Sequence, residues 1–266
     1  MRTFAHISDL HLGRDAPTDA AVERLAEALL AAEVDLVLLS GDVTHKGRPC
    51  ELELFERTFA PLRSRLRLVP GNHDRAGHDV REQLMPGPRV QGEALGELFL
   101  VRVDSTAPHN KSLLDAHGEL TREDLGEVEA VVERAPRGAL VVLMLHHHPL
   151  KLPFDHVGER LVSLLGWPCA EELDLGQELV ERLRGRCDLI LHGHRHALAE
   201  RRLLAPGGRA LRVLNAGSTP ELRLARLVMH AGGRILSERW LHLGEERLPR
   251  PSARRAPPPR AAPAAA

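Results

Sequence analysis

Tyrosine is absent from this 266-residue chain, which carries only two tryptophans and five phenylalanines. So few aromatic rings leave few options for stacking a nucleobase. Lysine is almost as scarce. Arginine outnumbers it thirty-three to three, an excess that, with the many alanines, fits a GC-rich coding sequence. Cys50, Cys169 and Cys187 are the three cysteines; their number and wide spacing exclude a disulfide framework and a CxxC metal site. They read as free thiols in a reducing compartment. No apolar run approaches the roughly 20 residues that span a bilayer. Polar residues interrupt any signal-peptide core within residues 1–9. The expectation is a cytoplasmic protein with no membrane contact. A formal net charge of −1 excludes a chain that grips nucleic acid or anionic lipid through bulk charge.

What the chain does have is 43% hydrophobic residues, enough for a sizeable core, and sixteen histidines. Imidazole is the commonest metal ligand and acid–base side chain, so the histidines direct attention to that chemistry. An apolar run at residues 3–7 ends at Ser8-Asp9, and Val22, Leu25, Ala26 and Leu29 then take helical spacing after a Thr18-Asp19 start signal. Residues 36–39 read as a second strand. Pro49 opens a second helix with Leu52, Phe55, Phe59 and Leu62 on one face, and residues 66–69 read as a third strand. This rhythm predicts right-handed crossovers onto a mostly parallel sheet. Further strands are expected at 98–103, 140–145, 188–191, 198–204, 210–214, 222–228 and 235–243, with helices after Thr121 and over 175–183. The sum is an α/β domain of two packed sheets with helices outside, the second sheet partly antiparallel. Residues 1–246 are expected to form that domain, and the Pro/Arg/Ala-rich residues 247–266 a disordered tail.

Polar residues gather where these strands end. Asp9-Leu10-His11 follows the first, Gly41-Asp42 the second and Gly71-Asn72-His73-Asp74 the third. His146-His147-His148-Pro149 follows the strand at 140–145, and His192-Gly193-His194-Arg195-His196 the strand ending at Leu191. Ligands bind outside the carboxyl ends of strands in open parallel sheets, so five segments would bring Asp, Asn and His to one edge. Each segment alone reads equally well as a turn or cap. Five in a fixed order do not. His6, by contrast, reads as a satisfied core histidine.

In that order the segments resemble the calcineurin-like metallophosphoesterase family, over roughly residues 2–242. The resemblance implies a four-layer α/β/β/α sandwich of two mixed sheets flanked by helices, with a binuclear metal site. On this chain the first metal would take Asp9, His11 and His196. The second would take Asn72, His194 and one histidine of the 146–148 run, with Asp42 bridging both. Family members usually place that histidine two residues before the proline, which selects His147. Strand alternation lets only one of the adjacent pair face the metals, and His146 is the alternative. Gly193 fixes the register of the last motif and leaves His192 outside it. The implied cofactors are two divalent or mixed-valence ions, Mn²⁺, Fe²⁺/Fe³⁺ or Zn²⁺, which suit imidazole and carboxylate ligands. Two such cations about 3.5–4 Å apart can acidify a water and clamp both ends of an in-line displacement. His73 would face the substrate and protonate the leaving oxygen, and Asp74 would hold its ring in the useful tautomer.

Ser40-Gly41-Asp42-Val43-Thr44, Val69-Pro70-Gly71-Asn72-His73-Asp74 and Leu145-His146-His147-His148-Pro149-Leu150 are most like the bacterial class III cyclic-nucleotide phosphodiesterases of that superfamily. Val103-Asp104-Ser105 and Asn215-Ala216-Gly217-Ser218 also recur there. The likeness implies hydrolysis of a phosphodiester by metal-activated hydroxide, on a small nucleotide such as 3',5'-cyclic AMP. A broad-specificity phosphomonoesterase or phosphodiesterase is the alternative. The DNA-nuclease branch shares Ile7-Ser8-Asp9-Leu10-His11-Leu12-Gly13, but a short, net-neutral chain lacks room for its DNA- and partner-binding segments. A scaffold without hydrolysis is disfavoured by the complete ligand set and His73. Lipid A precursor hydrolases usually carry arginine where His73 stands. The partner implied is thus a small phosphoester, with no membrane and no nucleic acid, and a homodimer is frequent among similar enzymes. Specificity would come from the loops at 44–48, 75–87, 108–117 and 150–167, which carry His45, His78, His109, Phe154, His156 and Trp167.

Overall fold

Alternate side chains along each strand separate into different apolar clusters, and that separation defines the layers. The computed structural model describes residues 1–112, 115–150, 173–205 and 210–244. β1 (Arg2–Ile7), β2 (Leu36–Leu39) and β3 (Leu66–Leu68) are parallel neighbours. β4 (Val90–Leu95), β5 (Leu98–Val103), β6 (Leu140–Met144), β7 (Leu189–His192), β8 (Ala199–Leu203) and β9 (Leu211–Asn215) form a six-stranded sheet of order β4-β5-β6-β7-β9-β8. It is parallel from β5 to β9 and antiparallel at both edges. β10 (Leu224–Ala231) and β11 (Arg234–His242) complete the five-stranded sheet, of order β11-β10-β1-β2-β3.

Phe4, Leu38, Leu98, Leu100, Leu140, Val142, Met144, Leu189 and Leu191 pack between the two sheets. One step along the same strands, Ala5, Ile7, Val37 and Leu39 pack with residues of α1 (Ala16–Ala31), α2 (Pro49–Thr58) and the one-turn α3 (Arg81–Leu84). Phe99, Val101, Val141, Leu143 and Ile190 pack with α4 (Arg122–Glu133) and α5 (Gly176–Leu183). Helix, sheet, sheet and helix are the four layers the resemblance implied. The period of two keeps the central strands β1, β2, β5, β6 and β7 apolar on both faces, as buried parallel strands require. Among the described residues, no helix is long and apolar enough to cross a membrane.

Several elements differ from their sequence expectation for identifiable reasons. α1 begins at Ala16 rather than after Thr18, because the Asp15 carboxylate accepts the Thr18 N–H at 2.8 Å and caps the helix. Thr121 caps α4 as expected, exchanging bonds with Asp124. Both sheets are mixed, as the resemblance implied, whereas the strand pattern alone marked only the second as partly antiparallel. The β10–β11 hairpin joins the first sheet beside β1, with Arg2 opposite His230, and no local apolar pattern specifies which sheet a hairpin will join. β4 has no counterpart in the expectation. It is an edge strand read as Val-Gln-Gly-Glu-Ala-Leu, held by backbone pairing to β5 rather than by an apolar face. The expected tail, Cys169, Phe154, His156 and Trp167 lie outside the described residues.

One ion network ties the two sheets together. Arg212 of β9 and Arg226 of β10 both donate to Glu238 of β11, the Arg226 contact at 2.9 Å, and Arg212 also reaches Glu200 of β8 at 2.9 Å. Burial alone would raise the Glu238 carboxyl, but the two guanidiniums outweigh it and hold it below the usual glutamate range. A depressed carboxylate pKa stabilises the fold above its unfolded value near 4.5, and the gain is lost as pH falls through the folded value. Glu238→Gln is therefore expected to cost about 1–3 kcal/mol at pH 7. Urea titrations at pH 7 and pH 3.5 should show that difference shrinking in acid. An unchanged difference at both values would mean the carboxylate charge contributes nothing.

Candidate metal centre

The first sheet delivers Asp9 and His11 beyond β1, Asp42 beyond β2, and Asn72, His73 and Asp74 beyond β3. The second delivers His146 beyond β6 and His194 and His196 beyond β7. Asp9, His11, Asp42, His194 and His196 have φ of 55, 48, 51, 75 and 49°, in the left-handed region that few non-glycine residues enter. Such residues cost on the order of 1–3 kcal/mol each and persist only where the surroundings over-determine them. Here the Asp9 N–H donates to the Gly41 carbonyl, the His11 N–H to the Asp42 carbonyl, and the His194 N–H to both Asp9 carboxylate oxygens. Two glycines allow the carboxylates this close. A Cβ on Gly193 would stand 1.8 Å from Ser8 Oγ and 2.4 Å from Asp9 Oδ2, and one on Gly71 would stand 2.1 Å from Asp42 Oδ1.

The side chains meet in two adjoining groups. In the first, His11 Nε2 and His196 Nε2 are 2.9 Å apart, and Asp9 Oδ1 lies 3.6 Å from His196 Nε2. In the second, Asn72 Oδ1 lies 3.1 Å from both His146 Nε2 and His194 Nδ1, which are themselves 3.3 Å apart. Asp42 Oδ2 faces both groups, 3.7 Å from His11 Nε2 and 3.4 Å from His146 Nε2. Its Oδ1 accepts the His73 backbone N–H at 2.9 Å. Ring nitrogens and carboxylate oxygens converge here with few hydrogen-bond donors between them, the arrangement a cation satisfies. Asp9–His11–His196, Asp9–Asp42–His146 and His146–His147–His194 each offer ligand atoms within 4.8 Å of one another. The nitrogen and oxygen donors fit Mn²⁺, Fe or Zn²⁺.

Electrostatics follow from burial and from these contacts. Burial raises Asp9 to about 6 and Asp74 to about 6, with the Asp42 charge pushing both the same way. Burial would also raise Asp42, but His146, His73 and His11 outweigh it and hold the carboxyl well below its usual range. Burial drives His11 down to about 3 and takes His147 and His194 well below the ordinary imidazole value. It works against His146 too, yet Asp42 and Asp9 prevail and raise that ring to about 9.

Of the adjacent pair, His146 rather than His147 turns its Nε2 to Asp42 and Asn72; its Nδ1 meets the Ser40 carbonyl at 2.8 Å. His147 Nδ1 instead bonds Ser105 Oγ at 2.8 Å. Asp74 does not orient the His73 ring. Its carboxylate accepts from the Gly71, Val43 and Thr44 N–H groups and from Thr44 Oγ1, because the loops after β2 and β3 share it as a common acceptor. The His73 ring is set by the His45 carbonyl, 2.8 Å from its Nδ1. The His45 ring stacks on His73 at 5.5 Å. His78 is exposed, and His109 stacks on His117 instead. His6 is buried against Ser40 Oγ. Sequence reasoning did not anticipate Ser105, Thr44 or Glu221 as partners of site residues. Each contact joins distant strand exits, and only Thr44 and Ser105, lying within quoted motifs, carried any signal.

A family model described as calcineurin-like phosphoesterase matches residues 2–198, and the chain belongs to that family. Family membership places it among hydrolases acting on phosphoester bonds. Among curated relatives, a probable cyclic nucleotide phosphodiesterase of Vesicomyosocius okutanii is 23% identical, over 73% of this chain and 76% of its own length. A probable glycerophosphodiester phosphodiesterase of Arcobacter nitrofigilis is 27% identical, over 64% of this chain and 59% of its own. A 3',5'-cyclic adenosine monophosphate phosphodiesterase of Pseudomonas aeruginosa is 29% identical, over 57% and 54%. The chain thus spans little more than half the length of the last two. A solved dimetal phosphatase from Danio rerio superposes with a TM-score of 0.64 at 13% identity, covering 91% of this chain and 99% of that one. A purple acid phosphatase from yellow lupin gives 0.57 at 12%, covering 91% and 53%. These two share the fold.

Proposed function

We propose that the chain is a binuclear-metal phosphodiesterase acting on a small nucleotide such as 3',5'-cyclic AMP. The observation that carries the reading is Asp42 Oδ2, placed between two groups of ligand atoms that together with it come from five strand exits. Asp9, His11 and His196 would hold one ion, Asn72, His146 and His194 the other, with Asp42 shared. His146 takes the place that proline spacing gives to His147. Two bound cations would polarise the phosphoryl group and acidify a water. The chain's own residues do the rest. Asp42, below the usual carboxylate range, stays ionised. The His73 N–H fixes its outer oxygen. The His73 ring, its Nδ1 on the His45 carbonyl, keeps Nε2 for the leaving oxygen.

Residues 1–246 are taken as the catalytic unit. Two relatives are named for cyclic nucleotides and one for glycerophosphodiesters, which favours diesters of small molecules over polymers. A nucleotide substrate and free thiols suit a cytoplasmic setting, and a homodimer would be compatible with the site.

Hydrolysis of bis(p-nitrophenyl) phosphate should depend on added Mn²⁺ and stop with chelator. A panel of cyclic AMP, glycerophosphodiesters, phosphomonoesters and single-stranded DNA should then show the highest kcat/KM for cyclic AMP. Turnover of cyclic AMP no better than a generic diester removes the nucleotide assignment, and no turnover of any substrate leaves a scaffold.

A further inference from the structure

The two ligand groups differ in their shelter. His146 is fully buried, whereas the His196 side chain is 37% exposed. The exposed ring has a partner outside the ligand set: His196 Nδ1 lies 3.1 Å from Glu221 Oε2. The other oxygen of Glu221, Oε1, accepts from the Arg14 guanidinium. Arg14 is held in turn by Asp15 at 3.3 Å and Thr18 Oγ1 at 2.9 Å. Glu221 sits in the one-turn α6 (Thr219–Leu222), and its approach is stitched to the site. Ser218 Oγ donates to the Asp9 carbonyl at 3.1 Å, the Ser8 N–H to Thr219 Oγ1 at 3.0 Å, and the Ala216 N–H to the His192 carbonyl at 3.0 Å. The segment that carries Glu221 is therefore pinned to the exits of β1 and β7, the two strands that supply Asp9, His11 and His196.

We propose that Glu221 is a positioning residue for the His11–His196 group, and that Arg14 holds it in place. A carboxylate facing Nδ1 keeps the proton there, leaves the Nε2 lone pair free, and fixes the ring's rotation toward Asp9 and His11. Carboxylate–histidine–metal arrangements use this device, and loss of the outer carboxylate commonly weakens metal binding by about 10–100-fold. Glu221 acts on the ligand that burial supports least. The inference rests on the binuclear reading above.

The test is equilibrium dialysis of Mn²⁺ against the metal-free protein, with His-ring ¹⁵N spectra of the same samples. Wild type should bind two equivalents and show His196 protonated on Nδ1. Glu221→Ala should weaken one equivalent by about 10–100-fold, the same one that His196→Ala weakens and not the one that Asn72→Ala weakens. It should also shift His196 toward the other tautomer. Glu221→Gln, which keeps an acceptor without the charge, should fall between. Matched thermal melts exclude a folding defect. An unchanged isotherm, equal weakening of both equivalents, or a His196 tautomer already on Nε2 in wild type would overturn the proposal. Failure of wild type to bind two equivalents would instead count against the binuclear reading itself.

Discussion

His73→Ala is expected to bind two metal equivalents as the wild type does, yet to hydrolyse alkyl phosphodiesters about 10²–10⁴-fold more slowly. The two effects separate because His73 makes two different contacts. Its backbone N–H, which alanine retains, supports Asp42 Oδ1. Its ring, which alanine lacks, touches none of the proposed ligands through a hydrogen bond; Nδ1 bonds the His45 carbonyl. With Nδ1 committed to that carbonyl, Nε2 is the ring nitrogen left for the leaving oxygen. Proton donation matters most when the leaving oxygen is a strong base. A ribose 3'-alkoxide needs the proton far more than p-nitrophenolate does. The loss should therefore be large with cyclic AMP and markedly smaller with bis(p-nitrophenyl) phosphate. Metal content by mass spectrometry and kcat on both substrates decide the matter. Loss of metal would assign His73 to the site's framework, and equal losses on both substrates would reduce its role to electrostatic stabilisation.

Much of this architecture was legible because it rests on local signals. Pattern alone placed β1, β2, β5 and β6 within a residue or so, since their runs are apolar on both faces and stop at polar clusters. Thr121 and Asp124 marked α4 through a capping exchange that needs only neighbours in sequence. The candidate site was legible as an order of motifs at strand exits. What stayed hidden depends on long-range pairing. Nothing in residues 224–242 says that their hairpin sits beside β1, and nothing near Glu221 says that it meets His196. Asp74 misled for a related reason. Beside His73 in sequence, it turns into the loop interior, where four donors from Gly71, Val43 and Thr44 converge. Adjacency along a turn is a poor guide to the direction of a side chain.

His146→Ala is expected to weaken one of the two metal equivalents by more than about 100-fold, and His147→Ala to stay within the roughly 10–100-fold range of supporting residues. The ordering follows from the alternation of β6. Leu140, Val142 and Met144 face the other sheet, while Val141, Leu143 and Leu145 face the helices. Continued one step past the strand, the first series reaches His146, whose Nε2 comes to 3.1 Å from Asn72 Oδ1 and 3.4 Å from Asp42 Oδ2. The second series reaches His147, whose Nδ1 meets Ser105 while its Nε2 has no hydrogen-bond partner. The two-residue period favours His146 and the spacing to Pro149 favours His147, and these two variants separate the readings. Removing the His146 ring also strips Asp42 of its nearest positive partner, so the metal-free variant should lose stability as well. Mn²⁺ dialysis of both variants, with thermal melts in chelator, measures both effects. A His147→Ala variant that loses an equivalent while His146→Ala keeps both would return the ligand role to His147.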